Sequence, residues 1–391
     1  MRSSRLATRN IIGLALFSRI LVFSIAIISS LMIPDYTFPF EVPQVNLPII
    51  EVFAKWDSFY YLDIAAHGYT LKADLWAFRP LYPVVMWILG FPLTQSLGMW
   101  QAYAVVGLIW NTFAFVTATV YLCRLTEMLL DSDSAYCTVL FLAIFPATVF
   151  FTAIYPESTY LLMLTASFYY LEKKKILTAT TFAVLGGLAR PEGFLLCIPF
   201  VFKAVTARGK EKVKLLLGAS ATASSLPLFM LYGYAITGDS FISFKVESSW
   251  SKMPFFNLVL NVLSMKPINE SVDRLAIYPI GLVLLVISIT SVVTYFLVFA
   301  VPHKKLRVGL KLIWSDRRTP YYFWTALLLA VFLYQGGLGG FPRFASTMLP
   351  VLWSTALWAK KSQVRICFFT ALYLSLMTLG TVFFVNWYYF L

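Results

Sequence analysis

Charge is scarce in this sequence: 13% of its 391 residues are Asp, Glu, Lys or Arg, while 60% are hydrophobic. An ordinary water-soluble domain carries about twice that charge density, so the balance argues against one. Cysteine is scarce too. Cys123, Cys137, Cys197 and Cys367 lie in or beside apolar runs with no Cys-x-x-Cys spacing, so neither a disulfide framework nor a zinc site is indicated. The apolar runs are continuous rather than alternating, which argues against a transmembrane barrel. No internal repeat and no low-complexity tract is visible. No small-residue cleavage site follows the first apolar run, so residues 11–33 read as a spanning helix rather than a removable signal.

What is present is a succession of apolar runs, many close to the roughly 20 residues that a helix needs to cross hydrocarbon. Only helices satisfy their own backbone polar groups there. The expected fold is therefore an all-α polytopic membrane protein, a single integral domain over residues 1–391. Crossings are expected at 11–33, 101–122, 136–154, 157–171, 176–190, 191–205, 215–236, 276–301, 321–336, 342–359 and 364–387, a bundle of about 11. The apolar stretch 81–97 is broken by Pro83, Gly90 and Pro92 and is expected on the outer leaflet instead. It closes a large first outer loop, 34–100, bearing short amphipathic helices; a second outer loop spans 237–275. The pair 176–205 is short for two crossings, and a re-entrant hairpin would fit it as well.

The net charge of +13 invites a nucleic-acid reading, but the basic residues sit in strips between apolar runs. Lys173–Lys175, Lys203–Lys214, Lys304–Arg318 and Lys360–Arg365 fall on the side of the N-terminus, which the excess of Lys and Arg makes cytoplasmic. Most of the 18 acidic residues lie on the other side.

Three tight outer turns carry the informative charges: Tyr155-Pro156-Glu157, Arg190-Pro191-Glu192-Gly193 and Phe341-Pro342-Arg343-Phe344. Each has too little loop to carry its charge into water, and all three face the side of the first long loop. In that loop Lys55 to Tyr69 reads as a short amphipathic helix, with Asp57 at its N-cap and Gly68 as its stop. A carboxylate beside Trp56 at an interface also suits a general base raised in pKa by desolvation. Each role has a plainer rival. Arg190 and Arg343 can pair with Glu192 or lipid headgroups, Glu157 can cap its helix, His67 can partner Asp63, and Arg19 can snorkel or join helices. Asp131-Ser132-Asp133 imitates a metal-binding Asp-x-Asp, but it falls on the cytoplasmic side among turn formers. Asn269-Glu270-Ser271 is an outer glycosylation sequon.

Trp56-Asp57 with Tyr60 or Tyr61, Ile64-Ala65, Gly68-Tyr69, then Ala77-Phe78 and Pro80-Leu81-Tyr82-Pro83, resembles the PIG-V family, GPI mannosyltransferase II and its prokaryotic relatives. Ser18-Arg19-Ile20, Ile33-Pro34-Asp35, Phe145-Pro146-Ala147, Glu157-Ser158, Arg190 with Gly193, and Arg343-Phe344 extend the resemblance over most of the chain. Two positions depart from it: Lys72 stands where the family tends to be acidic and Arg79 where an aromatic is usual.

The resemblance implies a GT-C glycosyltransferase with no metal and no cofactor. Its donor would be dolichyl or polyprenyl phosphate mannose and its acceptor a lipid-linked glycan, with a small membrane subunit as a further partner and no nucleic acid. Asp57 would be the catalytic base, and Arg190 and Arg343 would hold the donor phosphate. Trp56, Tyr60, Tyr61, Tyr82, Tyr155, Glu157 and Glu192 would line the substrate site. In a eukaryote the product would be the second, α-1,6-linked mannose of the GPI precursor on the luminal side of the endoplasmic reticulum. In a prokaryote the enzyme would work at the outer face of the plasma membrane. The competing readings are a lipid or glycolipid flippase, a GT-C enzyme moving another sugar, and a non-catalytic glycan-binding subunit.

Overall fold

The computed structural model describes residues 7–35, 45–70, 72–249, 272–300, 312–335 and 340–388. The chain is helical, with no strand among the described residues. Among the described residues five helical segments are long and apolar enough to cross a membrane: Thr8–Met32, Met99–Leu129, the pair within Gly209–Thr237, Ile280–Val298 within Val272–Ala300, and Gln363–Val385. The remaining apolar helices Glu157–Glu172, Ile176–Ala189, Thr319–Gln335 and Leu349–Ala359 have 11 to 17 residues. Even the longest of them rises only about 26 Å.

Among the described residues several of the eleven expected crossings are not continuous helices, and proline is the reason. The expected crossing 136–154 is a helix only over Ser132–Ala143, because Phe145 precedes Pro146 and is disfavoured in the α region. A 3₁₀ turn, Thr148–Phe151, follows. The expected crossing 191–205 begins with a 3₁₀ turn, Pro191–Leu196, before the helix Cys197–Thr206. The expected crossing 342–359 divides into Phe341–Ala345 and Leu349–Ala359, with Pro350 in the first turn of the second piece. The stretch 81–97 is broken as expected, into Leu81–Gly90, Phe91–Leu93 and Thr94–Leu97. Val84, Trp87, Ile88, Leu89 and Phe91 leave an exposed apolar face on it.

Met99–Leu129 is the central rod, packed against Glu157–Glu172, Ser132–Ala143 and Thr8–Met32. Beside it runs the irregular backbone from Ile144 to Pro156, where the Thr148 and Tyr155 carbonyls accept from side chains rather than from a helical ladder. Arg19, buried in the first helix, donates to the Thr148 carbonyl and to the Thr152 hydroxyl, both at 2.9 Å, and its guanidinium lies over the Phe115 ring. Asn111 donates to the carbonyls of Ala153 at 2.5 Å and Tyr155 at 3.0 Å. Non-helical backbone deep in such a bundle is tolerated only where protein groups replace the missing ladder bonds. Of the two roles open to Arg19, joining helices is the one it fills.

Charges gather at both ends of Glu157–Glu172, roughly 22 Å apart along its axis. At one end Glu172 binds Lys203 and Arg317 and accepts a hydrogen bond from Tyr321. Asp131 caps the next helix by accepting from the Ser134 amide at 2.9 Å and pairs with Lys360, so its carboxylate has a structural use. The sequon Asn269-Glu270-Ser271 lies outside the described residues. The other end holds Glu157.

Candidate active site

Asp57 precedes the helix Ser58–His67, which Gly68 ends at φ +70. The expected N-cap bond is not made: the Asp57 side chain accepts nothing from its own helix. Its carboxylate turns instead to Arg343, whose Nη1 donates to Oδ2 at 3.0 Å. Two contacts fix the loop that carries it. The Ile154 amide donates to the Phe53 carbonyl at 3.1 Å, and the Tyr155 hydroxyl accepts from the Asp57 amide at 2.9 Å while facing the Lys55 carbonyl at 3.4 Å. Trp56 sits at φ +56, a left-handed conformation that a bulky residue keeps only under strong surrounding constraint. Its indole donates to the Phe384 carbonyl at 3.3 Å and packs near Trp387.

Glu157 is the hub. Its side chain is fully buried, and Oε1 receives Arg190 Nη1 at 2.7 Å, Arg343 Nε at 2.9 Å and Arg343 Nη2 at 2.8 Å. It opens the helix Glu157–Glu172 yet makes no capping bond. Oε2, buried, has no hydrogen-bond partner. Arg190 reaches Glu192 with Nε at 2.6 Å, so Glu192 and Glu157 share it. The guanidinium of Arg343 lies over Tyr155 and Phe150, and that of Arg190 over Phe344. The three tight turns and the first long loop thus meet in one cluster of three carboxylates and two guanidinium groups.

The aromatic residues expected around the site divide. Tyr61 is within 6.0 Å of the Tyr155 ring and 5.8 Å of Tyr82, centroid to centroid. Tyr82 is fully buried, with its hydroxyl accepting from Asn111 at 3.1 Å. Tyr60 stacks on Phe78 at 4.7 Å, within electrostatic reach of Asp57 and Asp74. His67 pairs with Asp63 at 2.7 Å on the exposed side of the helix. Asn111 and Phe384 escaped sequence reasoning. The one available signal was Asn111 itself, a lone amide within a long apolar run.

Burial pushes the Asp57 carboxyl above its ordinary value, and Arg343 opposes that push through its charge and hydrogen bond. A base that is partly desolvated and paired with one guanidinium can, when ionised, accept a proton from a hydroxyl brought to its free oxygen.

Solved structures of an oligosaccharyltransferase from Archaeoglobus fulgidus are similar at low identity. The complex with Zn and sulfate is 15% identical with a TM-score of 0.44, covering 94% of this chain and 52% of that one. AglB with an inhibitory peptide and a dolichol-phosphate is 13% identical at 0.47, covering 95% and 55%; the apo form is 13% identical at 0.47, covering 96% and 56%. The chain spans about half the length of these proteins, and at such scores the likeness is too faint to define the fold. No curated protein matches the sequence. A family match does hold, to Mannosyltransferase (PIG-V), over residues 8–208. That span is just over half of the sequence and takes in Asp57, Tyr155, Glu157, Arg190 and Glu192, and by it the chain belongs to the mannosyltransferase (PIG-V) family.

Proposed function

We propose that the chain is an inverting, metal-independent mannosyltransferase that moves mannose from a dolichyl or polyprenyl phosphate donor to a lipid-linked glycan. The observation that carries this reading is the Asp57–Arg343–Glu157 connection, which holds a carboxylate of the first loop beside two arginines.

In the proposed reaction the ionised Asp57 takes the proton of an acceptor hydroxyl as its oxygen attacks the anomeric carbon. The bond from that carbon to the phosphate oxygen breaks, and the lipid phosphate leaves with the bonding pair as a dianion. One base suffices for a single displacement with inversion. The phosphate is already a good leaving group, so no acid is required. Arg190 and Arg343 keep N–H groups beyond those given to the carboxylates, and these would bind the phosphate oxygens. The unpartnered Glu157 Oε2 would accept a sugar hydroxyl, and Tyr61, Tyr155 and Trp56 would wall the sugar.

The acceptor reading is the GPI precursor receiving its second, α-1,6-linked mannose at the luminal face of the endoplasmic reticulum, or another lipid-linked glycan at the outer face of a prokaryotic plasma membrane. A flippase is less well supported, because the ionisable cluster sits at one end of a helix rather than midway between repeated halves. Mass analysis of lipid-linked glycans from cells with and without the gene tests the reading. Loss of a single hexose from one species supports it; an unchanged set of glycans counts against it.

A further inference from the structure

The Asp57 cluster has one carboxylate more than it has guanidinium groups: Asp57, Glu157 and Glu192 against Arg190 and Arg343. Its formal charge is negative by one. A donor phosphodiester adds a negative charge, and cleavage leaves a dianion. The cluster therefore lacks the uncompensated positive charge that such a ligand needs.

A third arginine on the same loop keeps N–H donors free. Arg79 is 3% exposed, yet its Nε and Nη1 have no hydrogen-bond partner, and among the described residues it forms no ion pair. Its guanidinium lies 4.2 Å over the Phe229 ring, inside an aromatic wall of Tyr69, Trp76, Phe229 and Tyr232. Cation–π contact offsets part of the lost hydration but leaves the N–H donors unused. Two carboxylates lie within electrostatic reach, Glu247 and Glu192, and the second belongs to the Asp57 cluster. Burial lowers the proton affinity of Arg79, an effect that a bound anion would reverse.

The adjoining surface fits a hydrocarbon chain. Pro80, next in sequence, lines a groove of about 510 Å³ together with Tyr69, Pro83, Val84, Trp87 and Tyr232. Trp87 and Val84 belong to the exposed apolar face of Leu81–Gly90. An unpaired buried guanidinium beside an apolar groove matches an amphiphile with a phosphate head and a long chain.

We infer that Arg79 binds the phosphate of the lipid-linked donor while the hydrocarbon chain lies in the groove of Pro80, Val84 and Trp87. This rests on the proposed transferase reading and adds to it a third guanidinium, two of whose nitrogens have no protein partner.

The test is binding of fluorescent polyprenyl phosphate, without sugar, to the full chain in phosphatidylcholine nanodiscs. Arg79→Gln is expected to weaken binding at least tenfold, with Arg79→Lys between it and the wild type. Trp87→Ala, on the exposed wall, is expected to weaken binding of polyprenyl phosphate several-fold while leaving competition by inorganic phosphate unchanged. Binding unchanged in both Arg79→Gln and Trp87→Ala overturns the inference. So does equal competition by phosphatidylglycerol, which would mark a general site for anionic lipids. Failure of the transferase reading looks different: polyprenyl phosphate binds through Arg79, yet the wild type transfers no sugar.

Discussion

Arg343 and Asp57 are 286 positions apart in sequence and 3.0 Å apart in space, joined by a guanidinium-to-carboxylate hydrogen bond. The same guanidinium spans to Glu157, so one side chain sets the position of both carboxylates. Arg343→Lys keeps the charge but cannot fork between two acceptors. Arg343→Ala removes the pairing altogether and leaves Glu157 with Arg190 alone. Breaking a buried pair by removing one partner costs about 3–5 kcal/mol. The expected outcome is a large fall in melting temperature for Arg343→Ala in detergent, a smaller one for Arg343→Lys, and loss of transfer in both.

Acid should inactivate the enzyme earlier than an ordinary carboxylate would predict. Asp57 must be ionised to accept a proton, and burial raises its pKa against the pull of Arg343. As pH falls through that raised value the base is protonated and kcat/KM declines, with a midpoint above the ordinary Asp value of about 3.9. Arg343→Gln removes the opposing influence, so in any residual activity the acid limb moves to still higher pH. For stability the sign is also set. A carboxyl whose folded pKa lies above its unfolded one stabilises the fold when protonated, and that contribution is lost as pH rises through the folded value. Asp57→Asn, which mimics the protonated form, should therefore melt no lower than the wild type at neutral pH.

Gly193 is where the Arg190-Pro191-Glu192 turn touches the preceding helix. A Cβ there would lie 2.1 Å from the Gly186 carbonyl oxygen and 2.8 Å from the Gly187 Cα, backbone atoms that cannot swing aside. Gly193→Ala should push the turn off Ile176–Ala189 and displace Arg190 and Glu192 together. Overpacking of this kind costs about 1–3 kcal/mol. Thermal melting and transfer rate should both drop, whereas Gly13→Ala, with open space around its Cβ position, should leave both unchanged.

Asn111 supports the backbone that carries Tyr155 and Glu157. Asn111→Ala leaves the buried Tyr155 carbonyl without its donor, while the Ala153 carbonyl keeps the Tyr155 amide at 2.8 Å. An unsatisfied acceptor costs about 1–3 kcal/mol, so melting should fall, and the Tyr155 contact to the Asp57 amide should loosen with it. Slower transfer with little change in donor binding is the expected kinetic result.

The long apolar elements were readable because each is defined by its own residues: Thr8–Met32, Met99–Leu129 and Gln363–Val385 all lie close to expected runs. The Leu81–Leu97 break was readable for the same reason, since Pro92 and Gly90 act locally. The irregular stretch from Ile144 to Pro156 was not, because its apolar composition matches a helix while its stability comes from Arg19 and Asn111 on other helices. The three tight turns could be assigned to one side by counting crossings. That Arg343 rather than a helix amide would take Asp57 could not be read, because a cap is a local relation and this ion pair joins distant parts of the chain. Asp131 shows the contrast, since its cap to Ser134 is local and a structural role was the natural expectation.

The most direct test of Asp57 as base is single-turnover transfer from polyprenyl phosphate mannose by purified wild type and Asp57→Asn, with donor binding measured alongside. The account predicts roughly 10²–10⁴-fold slower transfer by the variant, the size of a general-base contribution, with donor affinity within threefold of the wild type. Transfer by Asp57→Asn at the wild-type rate would contradict it.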